Sequence, residues 1–388
     1  MNRKMPYDGT LILVVLALLG AGLVMVFSAS SVISKEIYGS SSAIFYRQLT
    51  FVGAGLILML IAMRIDHQRY ANGFLLALLA AATIGLLAWA LFGPEVSGVR
   101  RWVQIGPARF QPSEIAKLTV VLLTAYFLVR SGGRIERIRK PLLPYMGVVS
   151  VIVLLILLEP DFGTSTSIAV TAALLLFLGG LRSSYYFAAL LPAVPAFFFL
   201  VYQVPYRRQR LLAFWDPEAD PFGAGYQILQ SLVAVGSGGV AGKGLAQGTQ
   251  KLFFLPEPHT DFIFAVIGEE NGLWGCSLVL LLFLALFWRG LRISLRADNL
   301  FGTYVGLGIV TTIVFQALFN MSVVLSLSPT KGIPLPFVSV GGSSVMVMLV
   351  SVGILLNISR HSRIPLPGSA LTASAKRFVA ARLATDVR

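Results

Sequence analysis

The sequence predicts an all-α polytopic membrane protein with about ten transmembrane helices and a long extracytoplasmic loop between helices 7 and 8. Three observations carry that expectation. Of the 388 residues, 56% are hydrophobic and 12% are charged, whereas about a quarter of a soluble domain is charged. Ten apolar runs approach the ~20 residues that a helix needs to cross a hydrocarbon core about 30 Å thick. Basic side chains collect in every second connection, as cytoplasmic segments retain Lys and Arg.

The runs fall at 11–27, 49–63, 74–92, 115–129, 145–158, 165–178, 186–202, 262–288, 303–325 and 345–358. An even number of spans puts both termini on one side. With the termini inside, Arg64, Arg69, Arg130, Arg182, Arg289, Arg292 and Arg296 join the basic ends of the chain, and the inner face accounts for the whole net charge of +14. Charge held in short loops between spans sets topology and meets anionic membrane lipid. Nucleic acid is therefore excluded as a partner. The lone Cys276 lies inside a span, which excludes an intramolecular disulfide and a cysteine metal cluster. Residues 1–360 read as one transmembrane domain, and 361–388 as a basic, polar, mobile tail.

The first run ends at Ser28, Ala29 and Ser30, which faintly resemble a cleavage site; nine further spans favour a retained anchor. The outward loop after it, 28–48, carries Arg47. The second outward loop, 93–114, carries Arg100, Arg101, Trp102 and Arg109, a basic group fit for an anionic head group. It ends at Glu114 and Lys117, three residues apart and so on one helical face. A Lys one turn inside the membrane needs a partner, and a Glu114–Lys117 ion pair supplies it. The third outward loop packs Glu159 and Asp161 between two spans, a pair able to act as acid and base or to hold a divalent cation. No third ligand is evident, so a cofactor is not called for and a metal stays open.

The fourth outward loop, 203–261, holds Arg208 and Arg210 and a short amphipathic segment at 225–235. Its Ile228, Leu229, Leu232 and Val233 share a face that suits either the membrane surface or the bundle. The glycine-rich run 236–244 lacks the spacing of a phosphate loop, since Ser237 and Gly244 stand where Gly and Ser or Thr are required; it reads as a flexible turn. His259, Asp261, Glu269 and Glu270 follow. A carboxylate at the mouth of a membrane span costs free energy and marks a functional site, so Asp261 is the leading candidate. It suits a general base, whose pKa partial burial raises toward the working pH; it equally suits an N-cap for the eighth helix. Glu269 and Glu270 project about 100° apart, so one of them is expected to face the interior in an ion pair or a protonated state. The fifth outward loop, 326–344, is rich in Pro and Gly, carries Lys331, and breaks the helical pattern where irregular backbone must line a cavity or meet water. His67 and His361 read as ordinary interface residues.

Taken in order, Gln111-Pro-Ser-Glu114-Ile-Ala-Lys117, Glu159-Pro-Asp161-Phe-Gly-Thr, the loop from Asp216 to Ser231, His259-Thr-Asp261 with its Phe-Ile-Phe-Ala-Val-Ile-Gly-Glu-Glu continuation, and Lys331-Gly-Ile-Pro-Leu-Pro-Phe-Val-Ser-Val-Gly-Gly-Ser-Ser resemble the SEDS family of polytopic peptidoglycan polymerases. The resemblance spans 7–358 and leans toward the cell-division branch over the elongation branch. Val340 and Pro258 depart from the family, which often has an aromatic residue and Ala there; neither change removes a charge. The resemblance implies glycosyl transfer that polymerises lipid II at the outer face of the cytoplasmic membrane, at the division septum. It makes Asp261 the general base and undecaprenyl pyrophosphate the leaving group. Arg47, Arg101, Lys117, Arg208, Arg210, Lys331 and His259 are then candidates for substrate or pyrophosphate, with Glu114, Glu159, Asp161, Glu269 and Glu270 in support. Expected partners are a class B penicillin-binding transpeptidase and divisome activator proteins. Two rivals are a lipid II flippase and a non-catalytic scaffold. Ionisable groups cluster at the outer ends, not at the midplane as a transporter needs, and a scaffold leaves Asp261 unexplained.

Overall fold

A computed structural model describes residues 6–95, 98–106, 108–131, 139–203, 205–330 and 332–361; the tail after 361 and Lys331 lie outside them. A helix covers each expected span: α1 (Gly9–Tyr38), α2 (Ala43–Arg64), α3 (Gly73–Leu91), α4 (Pro112–Arg130), α5 (Arg139–Leu158), α6 (Phe162–Leu178), α7 (Ser183–Tyr202), α10 (Ile263–Leu295), α11 (Leu300–Val324) and α12 (Gly342–Arg360). Among the described residues, seven helices are long and apolar enough to cross a membrane, and Leu142–Leu158 and Phe162–Leu178 form shorter apolar helices. Side-chain caps start several of them: Asp8, Asn72, Asp161 and Asn299 each accept from the first turn of the next helix, satisfying amides with no partner inside the helix. A two-stranded hairpin, β1 (Val103–Ile105) against β2 (Ala108–Phe110), precedes α4.

Close approach of small residues builds the bundle's centre. Gly55 of α2 faces Leu349 and Met346, and Gly353 of α12 faces the backbone of Met59, the kind of contact that joins helices where no hydrophobic drive separates them from lipid. The outer loop expected at 28–48 is mostly helix, because α1 continues to Tyr38 with Ser28, Ser30 and Ser34 buried. Its 30 residues make a rod of ~45 Å. Asp8 at one end pairs with Arg289 of α10, and Ser28 donates to Glu270 of the same helix (2.7 Å). The two contacts stand twenty residues apart on α1, ~30 Å of helix, about one hydrocarbon thickness.

α10 is a broken helix. Gly272 takes φ 63° and ψ −157° inside it, a conformation that a side chain resists. The glycine-rich run fills the break. Lys243 N donates to Glu269 O (3.0 Å) and Gly244 N to Glu270 O (3.0 Å), while Leu273 N donates to Gly239 O (3.0 Å). The run expected as a flexible turn is thus an ordered insert that satisfies backbone groups freed by the kink, as a membrane requires. Gly238, Gly242 and Gly272 lie so close to the opposing backbone that a Cβ on any of them would clash.

Both carboxylates at this break are buried and paired, where one was expected to be. Glu269 accepts from Lys243 Nζ (2.8 Å) and Thr249 N (2.9 Å); Glu270 accepts from Lys251 Nζ (2.6 Å) and Ala246 N (2.9 Å). They can point apart and still both be buried because the loop wraps around the helix. That loop holds α8 (Pro205–Trp215) and α9 (Tyr226–Gly238). The buried face of α9 is Ile228, Ser231, Ala234 and Gly238, packed on the bundle; Leu232 and Val233, expected to share the face of Ile228, are exposed. At the Asp8 end, His67 is wholly buried, hydrogen-bonded to Asn357 and Asn299, and is no surface residue.

Lys251→Met leaves Glu270 buried without its cation and should cost about 3–5 kcal/mol, read as a lower thermal midpoint in detergent. Lys243→Met should cost less, because that ammonium is 33% exposed. Equal losses would show that burial does not set the strength of these pairs.

Candidate active site

Asp261 lies just before α10, in a turn outside the helix, partly buried. The turn is tied to the irregular segment 332–341 from several sides. Asn320 of α11 donates to both Asp261 O (2.8 Å) and Ile333 O (2.7 Å). Ser339 Oγ donates to Thr260 O (2.6 Å), and Val340 N to His259 O (3.0 Å). Gln48 of α2 donates to Ser339 O (3.3 Å) and accepts from Gly341 N (3.2 Å). Gly332 packs so near the acid that a Cβ there would stand 2.7 Å from Asp261 Oδ2. Two residues without glycine's freedom take left-handed conformations beside it, Glu257 (φ 50°) and Phe337 (φ 63°). Such strain costs about 1–3 kcal/mol per residue and persists only where the surroundings enforce it.

The carboxyl of Asp261 does not cap α10; the cap residue is Phe262, with no side-chain bond. That removes the capping role the sequence allowed. Burial, then the Glu257 carboxylate, push Asp261 up to about 6; Arg101 and Arg210 oppose the shift and Asp161 adds to it. His259 goes the other way: burial lowers it, with Glu257 in partial opposition, and its Nδ1 has no hydrogen-bond partner among the described residues.

The structure therefore brings Asp261, Arg101, Arg210, Asp161, Glu159 and Glu257 into one electrostatic cluster. Arg101 is delivered by the segment entering β1, Arg210 by α8. Asp161 accepts from Thr164 N (2.9 Å), Thr164 Oγ1 (2.8 Å) and Gln111 Nε2 (3.2 Å). Among the described residues no three His, Cys, Asp or Glu side chains gather as a metal ion would need.

Other candidates stand apart. Lys117 is buried and committed: its Nζ donates to Glu114 (3.0 Å) and to Gln316 Oε1 (2.7 Å), and Gln316 in turn donates to Pro334 O (2.9 Å). The expected ion pair exists, and through Gln316 it braces the 332–341 segment. Arg47 and Arg208 are exposed. Glu269 and Glu270 hold the loop. Sequence reasoning missed Gln48, Gln316 and Asn320. The signal was present, since Gln316 and Asn320 sit four apart inside an apolar span, where polar groups are expensive and mark function.

Helical bundle and carboxylate cluster together define a class: a polytopic membrane protein with a polar site at one end of its helices. This chain belongs to the FtsW, RodA and SpoVE family of cell cycle proteins, whose pattern it matches over residues 9–364. It is 40% identical over 371 residues to the stage V sporulation protein E of Bacillus subtilis, covering 93% of this chain and 99% of that one. It is 41% identical over 354 residues to a probable peptidoglycan glycosyltransferase FtsW of Geobacter sulfurreducens, covering 91% and 95%. Among solved structures, a peptidoglycan synthase complex described for its coordination of polymerization and crosslinking contains a chain with TM-score 0.75 and 30% identity, covering 91% of this chain and 98% of that one. The rod shape determining protein RodA of Thermus thermophilus superposes with TM-score 0.68 at 28% identity, covering 92% and 98%.

Asn320→Leu should strand two buried carbonyls, cost about 1–3 kcal/mol per unpaired group, and loosen Asp261. The check is limited proteolysis and thermal melting of the purified variant; wild-type behaviour in both would show that Asn320 does not hold the turn.

Proposed function

We propose that this protein polymerises lipid II at the outer face of the cytoplasmic membrane, building glycan strands at the division septum, with Asp261 as general base. It is a peptidoglycan glycosyltransferase of the FtsW, RodA and SpoVE family, as its relatives' names support at about 40% identity over most of the chain. One observation carries the assignment of the base: a partly buried carboxyl, raised to about 6 and facing two arginines, held on a braced turn. A base is most useful when its pKa lies near the operating pH.

The reaction follows from that arrangement. Asp261 removes the proton of the acceptor's GlcNAc 4-hydroxyl as its oxygen bonds to the anomeric carbon of the donor's MurNAc. The bond from that carbon to the diphosphate breaks, and undecaprenyl pyrophosphate leaves with the electron pair. Arg101 and Arg210 present positive charge where negative charge develops, which is where fixed electrostatics lower a barrier. The proton on Asp261 then passes to water.

Orientation rests on Arg289, Arg292 and Arg296 at the far end of α10, which we assign to the cytoplasm with both termini. A class B penicillin-binding transpeptidase is the partner we assign, supported by the synthase complex among the structural neighbours; divisome activators would act on that pair. We read residues 1–360 as the catalytic domain and assign the basic tail to the cytoplasmic side.

Purified protein, reconstituted with its transpeptidase on fluorescent lipid II, should yield glycan polymer. Asp261→Asn should yield none while its melting and partner binding stay as in wild type; polymer at the wild-type rate would remove Asp261 as base. Because the base acts ionised, the rate should fall about tenfold for each pH unit below about 6. A rate flat from pH 7 to about pH 5 would contradict that assignment.

A further inference from the structure

Glu159 stands in the turn between α5 and α6 with none of its surface exposed. Neither carboxyl oxygen has a hydrogen-bond donor among the described residues. The reaction above does not use it. A carboxylate in that position, stripped of water and of donors, is disfavoured as an ion. Two charged groups face it directly: Asp161 in the same turn and Arg101 from the segment entering β1. Beyond them, Asp261 shares both of these neighbours and also faces Glu257 and Arg210.

The hydrogen bonds decide where a proton goes. Asp161 accepts three of them, from Thr164 N, Thr164 Oγ1 and Gln111 Nε2. Glu159 has none. A buried carboxyl with no donor, beside a second carboxyl, holds its proton more tightly than one in water.

We propose that Glu159 is a positioning residue that works as a buried neutral acid: uncharged, it leaves the charge of Arg101 to Asp261 and the departing diphosphate, and its ionisation shuts the site at alkaline pH. Burial, followed by the negative charge of Asp161, pushes its carboxyl up to about 8, against the pull of Arg101. An ionised Glu159 would draw the guanidinium toward itself and add a second negative charge beside the leaving group. This inference rests on the reading of Asp261 and Arg101 given above.

The test is the pH–rate profile of lipid II polymerisation by wild type and Glu159→Gln, each reconstituted with its transpeptidase. Wild type should lose about tenfold or more between pH 7.5 and pH 9.5, as a single group near pH 8 ionises. Glu159→Gln, neutral at every pH, should stay within about threefold of wild type at pH 7 and lose the alkaline decline. A variant inactive at pH 7, or one that keeps the decline, overturns the proposal. An independent reading needs no activity: with isotope-labelled glutamate, infrared spectra of the wild type should show a protonated carboxyl band at pH 7 that vanishes by about pH 9.5. Its absence at pH 7 overturns the proposal; its presence in a protein that makes no polymer would sink the glycosyl-transfer reading and leave the neutral acid standing.

Discussion

Asn320 holds two carbonyls with one amide nitrogen, that of Asp261 and that of Ile333, and the site depends on this bridge. It joins the two irregular stretches of the chain, the turn before α10 and the segment before α12, to a rigid helix. Neither stretch has regular secondary structure to satisfy its backbone, and hydrocarbon offers no water as a substitute. Side-chain amides and hydroxyls therefore do what a helix does for itself. Gln316 of the same helix, Gln48 of α2 and Ser339 of the segment itself complete the set. Asp261 is thus positioned by groups that bond the backbone of its turn and of the facing segment, and preorganisation of that kind fixes where charge sits before the reaction begins.

The break in α10 follows the same logic with a different chemistry. At Gly272 the helix stops bonding to itself, and the freed amides and carbonyls are taken up by the glycine-rich run that returns from α9. Glu269 and Glu270 then fasten the remainder of that loop through Lys243 and Lys251. One consequence is mechanical. The loop carrying α8, and so Arg210, hangs from α10 through α9 and these pairs, while Ser28 connects the same anchor to α1. Another is electrostatic, because two carboxylates close to Asp261 in sequence are neutralised and leave its surroundings to Glu257, Asp161 and the two arginines.

Much of the fold was legible from hydropathy. All ten expected spans have a helix, since a run of apolar residues near twenty long has few other ways to hide its backbone. The end of α1 was misread because its last turns carry Ser28, Ser30 and Ser34, which look like loop residues yet are buried, Ser28 against Glu270 and Lys251 and Ser34 against the connection into α2. The glycine-rich run was misread for a related reason: glycine signals freedom in isolation and close approach in a packed structure, and sequence alone does not distinguish them. The bond from Lys117 to Gln316 was not legible because Gln316 lies far away in the chain.

From the sequence by itself came the membrane class, a helix over each of the ten apolar runs, and the family, because hydrophobic length, charge asymmetry and motif order are local properties of the chain. Only the tertiary structure decided which side chains surround that acid. It set Arg101 and Arg210 in the electrostatic surroundings of Asp261, removed Asp261 from helix capping, and left Glu159 buried with no donor among the described residues. Those outcomes depend on contacts between residues tens to hundreds of positions apart, and a pKa or a hydrogen bond exists only once packing has brought such residues within a few ångströms of each other.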